Sequence, residues 1–344
     1  MTSKKKLHLR KVFLMNLKRR PPTNSWLKII IPTSLKCLRY GLWVRYRHWM
    51  KLLILTWLRD KYSERLSWKV IKRYYNVPFL PKAIYFETVT RCCSPCEFCP
   101  ASVHYDPRPF TLMPEKVFKK VIDELSEYHF RGVIGLWNNN EPLLDKRLEK
   151  FVEYVAKRLP NAEIRLLTNG ILLTPDRGKR LLDAGVKVLG IDNYSDKCEI
   201  LLPNVKEFLE KVASRYPDKT IRVLERFPYE KLLNLAGWSP NNRRRVTLRA
   251  FCNWPFTSLI VGTDGSVTYC CNDFLFEYSV GNVKEESLLK IWHGERINYI
   301  RMHLLQGDRS FNDLCGNCDT IGVSYEDLDN VLDKIILRFV IGLY

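Results

Sequence analysis

The stretch Glu87-Thr88-Val89-Thr90-Arg91-Cys92-Cys93-Ser94-Pro95-Cys96-Glu97-Phe98-Cys99-Pro100 begins where a short apolar run, Ala83 to Glu87, reads as a strand. Cys92, Cys96 and Cys99 are spaced C-x3-C-x2-C. Three thiolates on one short loop can hold three irons of a four-iron cluster and leave the fourth open to chemistry. A cluster with four thiolates mainly carries electrons. The competing reading is zinc, which takes four closed ligands, usually as two C-x2-C pairs. Cys93 keeps that reading open, because Cys93 to Cys96 is itself C-x2-C.

With Phe98 before the third cysteine, the loop resembles the signature loop of the radical S-adenosylmethionine (radical SAM) enzymes. The resemblance implies a [4Fe-4S] cluster on Cys92, Cys96 and Cys99 whose open iron is chelated by S-adenosylmethionine. One electron then breaks the sulfonium bond, and a 5'-deoxyadenosyl radical removes hydrogen from a substrate. It also implies a reducing partner such as flavodoxin or ferredoxin.

Downstream, short apolar strands alternate with helices. Strands are expected at Gly132–Trp137, Glu163–Leu167, Val186–Ile191 and Thr220–Arg226. Helices are expected at Pro114–Tyr128, Lys146–Arg158, from a Thr174 cap to Ala184, and at Pro203–Tyr216. The alternation predicts a parallel sheet with its ligands at the C-terminal strand ends. The family's barrel has six parallel strands, and Val246–Phe251 is the expected place for the sixth.

The polar motifs fall at those strand ends. Asn138-Asn139-Asn140-Glu141-Pro142-Leu143 resembles the family's Gly-Gly-Glu-Pro region, with asparagines in place of the glycines. The resemblance gives Glu141, with Asn140 beside it, the amino group of S-adenosylmethionine. The plain alternative for Glu141 is a carboxylate at a helix N-terminus. Thr168-Asn169-Gly170 resembles the Thr-Asn-Gly element near the cofactor, and Asp192 lies where the family contacts ribose or substrate. Arg226 could meet a carboxylate or phosphate, or simply pair with a surface acid.

A second set of cysteines follows. Cys252 precedes two apolar runs, Thr257–Val261 and Val267–Cys270, joined by Gly262-Thr263-Asp264-Gly265, a hairpin signal. Cys315-Gly316-Asn317-Cys318 comes after a helix expected around Leu288 to Leu304. The pattern Cys252, Cys270, Cys315, Cys318 resembles the SPASM and twitch auxiliary domains of radical enzymes, and the count suits one auxiliary [4Fe-4S] cluster. Cys271 competes with Cys270 as the ligand, and structural zinc is again the alternative.

The net charge of +19 is concentrated at one end. Residues 1–80 hold 20 Lys and Arg against Asp60 and Glu64, so residues 81–344 are left with 36 basic and 35 acidic side chains. Leu38, Leu42, Tyr46, Trp49, Leu53 and Trp57 recur at helical steps with Lys36, Arg47 and Lys51 opposite. Such a helix is too short in apolar residues to span a bilayer, which needs about 20. It suits an anionic membrane surface, or packing on the barrel; nucleic acid is the least favoured partner. The 11 cysteines, without a secretory signal, indicate reduced thiols and a cytoplasmic protein, peripheral on the inner face of the membrane if the basic segment binds there.

The fold expected is therefore α/β: a partial (β/α)6 radical SAM barrel over 81–250, an auxiliary-cluster domain over 251–322, a basic helical extension over 1–80 and a C-terminal helix over 323–344. The function expected is a radical enzyme acting on a sugar, lipid-linked or peptide substrate. The alternative is a non-enzymatic iron–sulfur or zinc protein with a lipid- or nucleic-acid-binding N-terminal segment.

Overall fold

The computed structural model describes residues 70–194, 201–226, 232–245, 248–320 and 322. The basic segment before residue 70 and the expected C-terminal helix lie outside the described residues, as does the side chain of Arg226.

One eight-stranded sheet organises the chain, in the order β5-β4-β3-β2-β1-β6-β7-β8. The strands are β1 (Ala83–Phe86), β2 (Val133–Gly135), β3 (Glu163–Thr168), β4 (Val188–Tyr194), β5 (Thr220–Arg226), β6 (Ser258–Val261), β7 (Ser266–Thr268) and β8 (Gly281–Asn282). From β5 to β6 all pairs are parallel. The last two pairs are antiparallel. Four helices connect the first five strands: α1 (Glu115–Glu127), α2 (Leu148–Arg158), α3 (Pro175–Ala184) and α4 (Pro203–Lys211).

Local chemistry sets these boundaries. Pro114 stands just before α1, whose Val117, Phe118, Val121, Ile122 and Leu125 are buried at three- and four-residue steps. Thr174 caps α3 by accepting from the Arg177 N–H, and Gly185 ends it with φ 130°. Gly178 lets α3 approach α4 closely: a Cβ there would sit 2.3 Å from the Phe208 ring.

Three expectations need correction. The sixth parallel strand is β6, not Val246–Phe251; the described residues 248–251 form no strand. All four residues of β6 are buried, as a strand flanked on both edges requires, whereas Arg249 is exposed. β6 is thus both the last parallel strand and the first arm of the expected hairpin, and the sheet runs across the expected 250/251 division. Second, β4 continues to Tyr194, because β5 pairs with it as far as Tyr194–Arg226. Asp192 therefore lies inside the strand, not in the loop after it. Third, the helix expected from Leu288 to Leu304 is two: α6 (Leu288–Trp292), capped by Ser287, and α7 (Glu295–Leu305), which starts from Gly294. Two four-residue helices, α5 (Trp254–Thr257) and α8 (Asp313–Gly316), complete the C-terminal part.

Gly178→Val should force the Phe208 ring out of its buried site. The expected cost is about 1–3 kcal/mol, read as a lower urea midpoint at unchanged slope.

Candidate functional site

The cysteine loop leaves β1 and is closed at its base by a bridge between Val89 and Leu112. Arg91 reinforces the base by donating through Nη2 to the Arg108 carbonyl at 2.8 Å. No disulfide joins Cys92, Cys93, Cys96 or Cys99, and Cys96 is buried. Ser94 Oγ lies 2.9 Å from Cys96 Sγ. Asn169 Nδ2 lies 3.6 Å from Cys92 Sγ and 3.5 Å from Cys93 Sγ. Burial pushes the Cys99 thiol up to about 12 and raises Cys92 further. Thiolates enclosed in this way need a cationic partner, which cluster irons supply. Phe98 is buried.

Glu141 is tied to this loop by its backbone, its N–H donating to the Arg91 carbonyl at 2.8 Å. Its side chain is buried and accepts from Leu143 N at 3.0 Å, Thr168 Oγ1 at 2.7 Å and Asn169 N at 2.8 Å. The carboxylate thus locks the β2 and β3 ends together, and its remaining lone pairs are available to a cation. Burial raises its pKa, while these donors and Arg177 oppose the shift. Beside it, Asn140 Oδ1 accepts from Asn138 N at 2.8 Å, while its buried Nδ2 has no partner. A buried, unmatched donor at a strand end fits a bound polar ligand. Gly170, at φ 79°, allows the tight turn that presents Thr168 and Asn169. The structure brings Glu141, Asn140, Thr168 and Asn169 together, and Asp192, half-buried, follows Ile191, which stands opposite Thr168 on the neighbouring strand.

The second set also converges. Cys252 sits in a bridge with Gly322, and Asn312 caps α8 by accepting from Cys315 N at 2.8 Å. Cys270 Sγ accepts from Asn272 N at 3.4 Å, and Cys318 Sγ accepts from Thr320 N at 3.4 Å and Asn272 Nδ2 at 3.6 Å. Donors aimed at sulfur are part of how proteins tune iron–sulfur clusters. Burial pushes Cys252 up to about 11 and Cys315 up to about 12. Cys271 is distinguished by its main chain, whose carbonyl accepts from Asn139 Nδ2 at 2.8 Å.

Three residues at this junction carry no motif. Glu87, wholly buried at the end of β1, pairs with Arg108 and accepts from Asn138 Nδ2 at 3.0 Å and Asn139 N at 3.2 Å. Burial raises the Glu87 pKa, and Arg108 and these donors offset part of the rise. Asn234, also wholly buried, holds the C-x2-C loop: its Nδ2 donates to Asn317 O at 2.6 Å and its Oδ1 accepts from Asp319 N at 3.2 Å. A glutamate closing an apolar strand was the only sequence hint.

Residues 86–228 match the radical SAM superfamily, and residues 252–319 match the iron–sulfur cluster-binding SPASM domain. The S-adenosyl-L-methionine-dependent 2-deoxy-scyllo-inosamine dehydrogenase of Niallia circulans is 27% identical over 243 residues, 70% of this chain and 94% of that protein. The crystal structure of BtrN in complex with AdoMet and 2-DOIA superposes with a TM-score of 0.61 at 26% identity, covering 71% of this chain and 95% of that one. An open form of BtrN has the same fold, with a TM-score of 0.52 at 24% identity over 70% of this chain and 93% of that one.

Glu141→Ala strands three donors in a buried place, at about 1–3 kcal/mol for each unsatisfied group. A clear drop in melting temperature is expected, with a smaller drop for Glu141→Gln. Equal melting of all three proteins would contradict the locking role.

Proposed function

Because this chain belongs to the radical SAM enzymes and carries an SPASM domain, we propose that it oxidises a hydroxyl group of a sugar- or cyclitol-like substrate to a ketone. The observation that carries this reading is the joining of two thiol sites at one barrel mouth, where Asn139 reaches the Cys271 carbonyl. The likeness to a dehydrogenase of an amino-cyclitol supports the substrate class. Such enzymes use S-adenosylmethionine and a [4Fe-4S] cluster, and they need a reductant as well as a substrate.

In this reading Cys92, Cys96 and Cys99 hold the first cluster, and Cys252, Cys270, Cys315 and Cys318 hold the second. When bound, the first cluster with S-adenosylmethionine supplies hydrogen-atom abstraction and the second supplies a one-electron acceptor. Glu141 offers its free lone pairs to the ammonium of S-adenosylmethionine. Asn140 offers its unmatched Nδ2 to an acceptor on the same ligand. Thr168 and Asn169 keep Glu141 oriented, the buried Phe98 supports the loop, and Asp192 contacts ribose or substrate. The substrate carbon gives up one hydrogen atom, and its hydroxyl group one proton and one electron, so the alcohol becomes a ketone.

Flavodoxin or ferredoxin is the proposed reductant. No helix among the described residues is long and apolar enough to cross a membrane. The proposed location is the cytoplasm, at the inner membrane face, with the 18 surplus positive charges of residues 1–80 meeting anionic lipid.

After anaerobic reconstitution, about eight irons per chain are expected from two four-iron clusters. Dithionite and S-adenosylmethionine should then yield 5'-deoxyadenosine, and Cys96→Ala should abolish it. Bound zinc without 5'-deoxyadenosine would refute the site assignment. Flotation with anionic liposomes should recover the full chain and not a chain lacking residues 1–80; equal recovery would remove the membrane proposal.

A further inference from the structure

Arg108 lies nine residues beyond Cys99, in a segment with no recognisable motif. Its guanidinium nevertheless joins four parts of the molecule. Nη1 pairs with Glu87 at the end of β1 and lies 3.4 Å from the Phe274 carbonyl in the second cysteine region. Nη2 donates to the Asn139 carbonyl at 2.8 Å, beside the Glu141 motif, and to Asp106 Oδ2 at 3.1 Å. Nε donates to Asp106 Oδ1 at 3.0 Å. The guanidinium also stacks on the Phe274 ring, 4.1 Å from its centroid. Only a planar fork can meet two carboxylates, two carbonyls and an aromatic face at once; an ammonium cannot.

The guanidinium meets the chain close to the second thiol set, at Phe274. Phe274 stands four residues after Cys270, and Asn139, whose carbonyl Arg108 holds, donates to the Cys271 carbonyl. One cation with two carboxylates is enclosed here, and charges in such a place act through a dielectric far below that of water. A reduced cluster carries one more negative charge than an oxidised one, so a neighbouring cation favours reduction and a neighbouring carboxylate opposes it.

We propose that Arg108 is the positioning residue that clamps the auxiliary loop to the barrel mouth and, balanced by Glu87 and Asp106, sets the reduction potential of the auxiliary cluster. The inference rests on the reading that Cys252, Cys270, Cys315 and Cys318 hold that cluster. Arg108 acts through the loop and its own field, without touching substrate.

The test is a dye-equilibrated redox titration of the reconstituted protein followed by electron paramagnetic resonance. The auxiliary signal is identified by its loss in Cys315→Ala. At the wild-type midpoint, Arg108→Met should lower the reduced-to-oxidised ratio about tenfold, equivalent to about 59 mV for one electron. Glu87→Gln should shift the ratio in the opposite direction. Arg108→Lys, which keeps the charge but not the fork, should shift the ratio in the same direction as Arg108→Met but by less. A protein that merely lost packing would not give shifts of opposite sign. Unchanged ratios in Arg108→Met and Glu87→Gln, with iron content intact, would overturn the proposal. Should Arg108→Met lose iron, Glu87→Gln and Arg108→Lys decide by the same ratios. A wild-type signal that survives in Cys315→Ala would instead remove the ligand reading, and this inference with it.

Discussion

A backbone hydrogen bond from Glu87 N to the Val261 carbonyl, 2.9 Å long, fastens the origin of the cysteine loop to the origin of the C-terminal hairpin. It continues the parallel register in which Phe86 stands opposite Val261. Because β1 pairs with β2 on one side and β6 on the other, the C-terminal ends of all three strands open onto one edge of the sheet. The first thiol set leaves β1, the Asn-rich loop leaves β2, and the second thiol set follows the hairpin that β6 begins. Their proximity is a property of the sheet, and every contact between them depends on it.

That edge is unusually rich in buried charge. Glu87 and Glu141 are both enclosed, and each is matched by several donors from neighbouring strands. Buried ionic groups contribute little net stability beside apolar alternatives, but stranding one partner is costly. The arrangement therefore specifies geometry more than it adds stability. Glu141 fixes the β2 end against the β3 end, and Glu87, through Arg108, fixes the β1 end against the second thiol region. A reaction that removes a hydrogen atom at one centre and an electron towards another requires both to be held at fixed separation.

Periodicity and caps made most of the parallel layer legible. The apolar stripe of α1, the Thr174 cap and the Gly185 stop are local, and each appears where the chain's own pattern puts it. The sixth strand was not legible at Val246–Phe251, because apolar content alone does not say which run fills the free edge of β1. β6 fills it, being buried throughout. The end of β4 was not legible for a related reason: pairing with β5 carries the strand past Ile191 through Asp192 to Tyr194.

The amino-acid sequence by itself determined the thiol spacings, the strand–helix alternation and the family likeness. These are set by covalent neighbours and by side-chain periodicity, which need no partner to be read. Tertiary structure alone decided that Glu141 spends three hydrogen bonds on protein donors, that Asn140 keeps one unmatched donor, and that Arg108 joins the two thiol regions. Those facts belong to pairs far apart in the chain, Arg108 and Phe274 being 166 residues apart. Only the closing of the sheet brings them within hydrogen-bonding range.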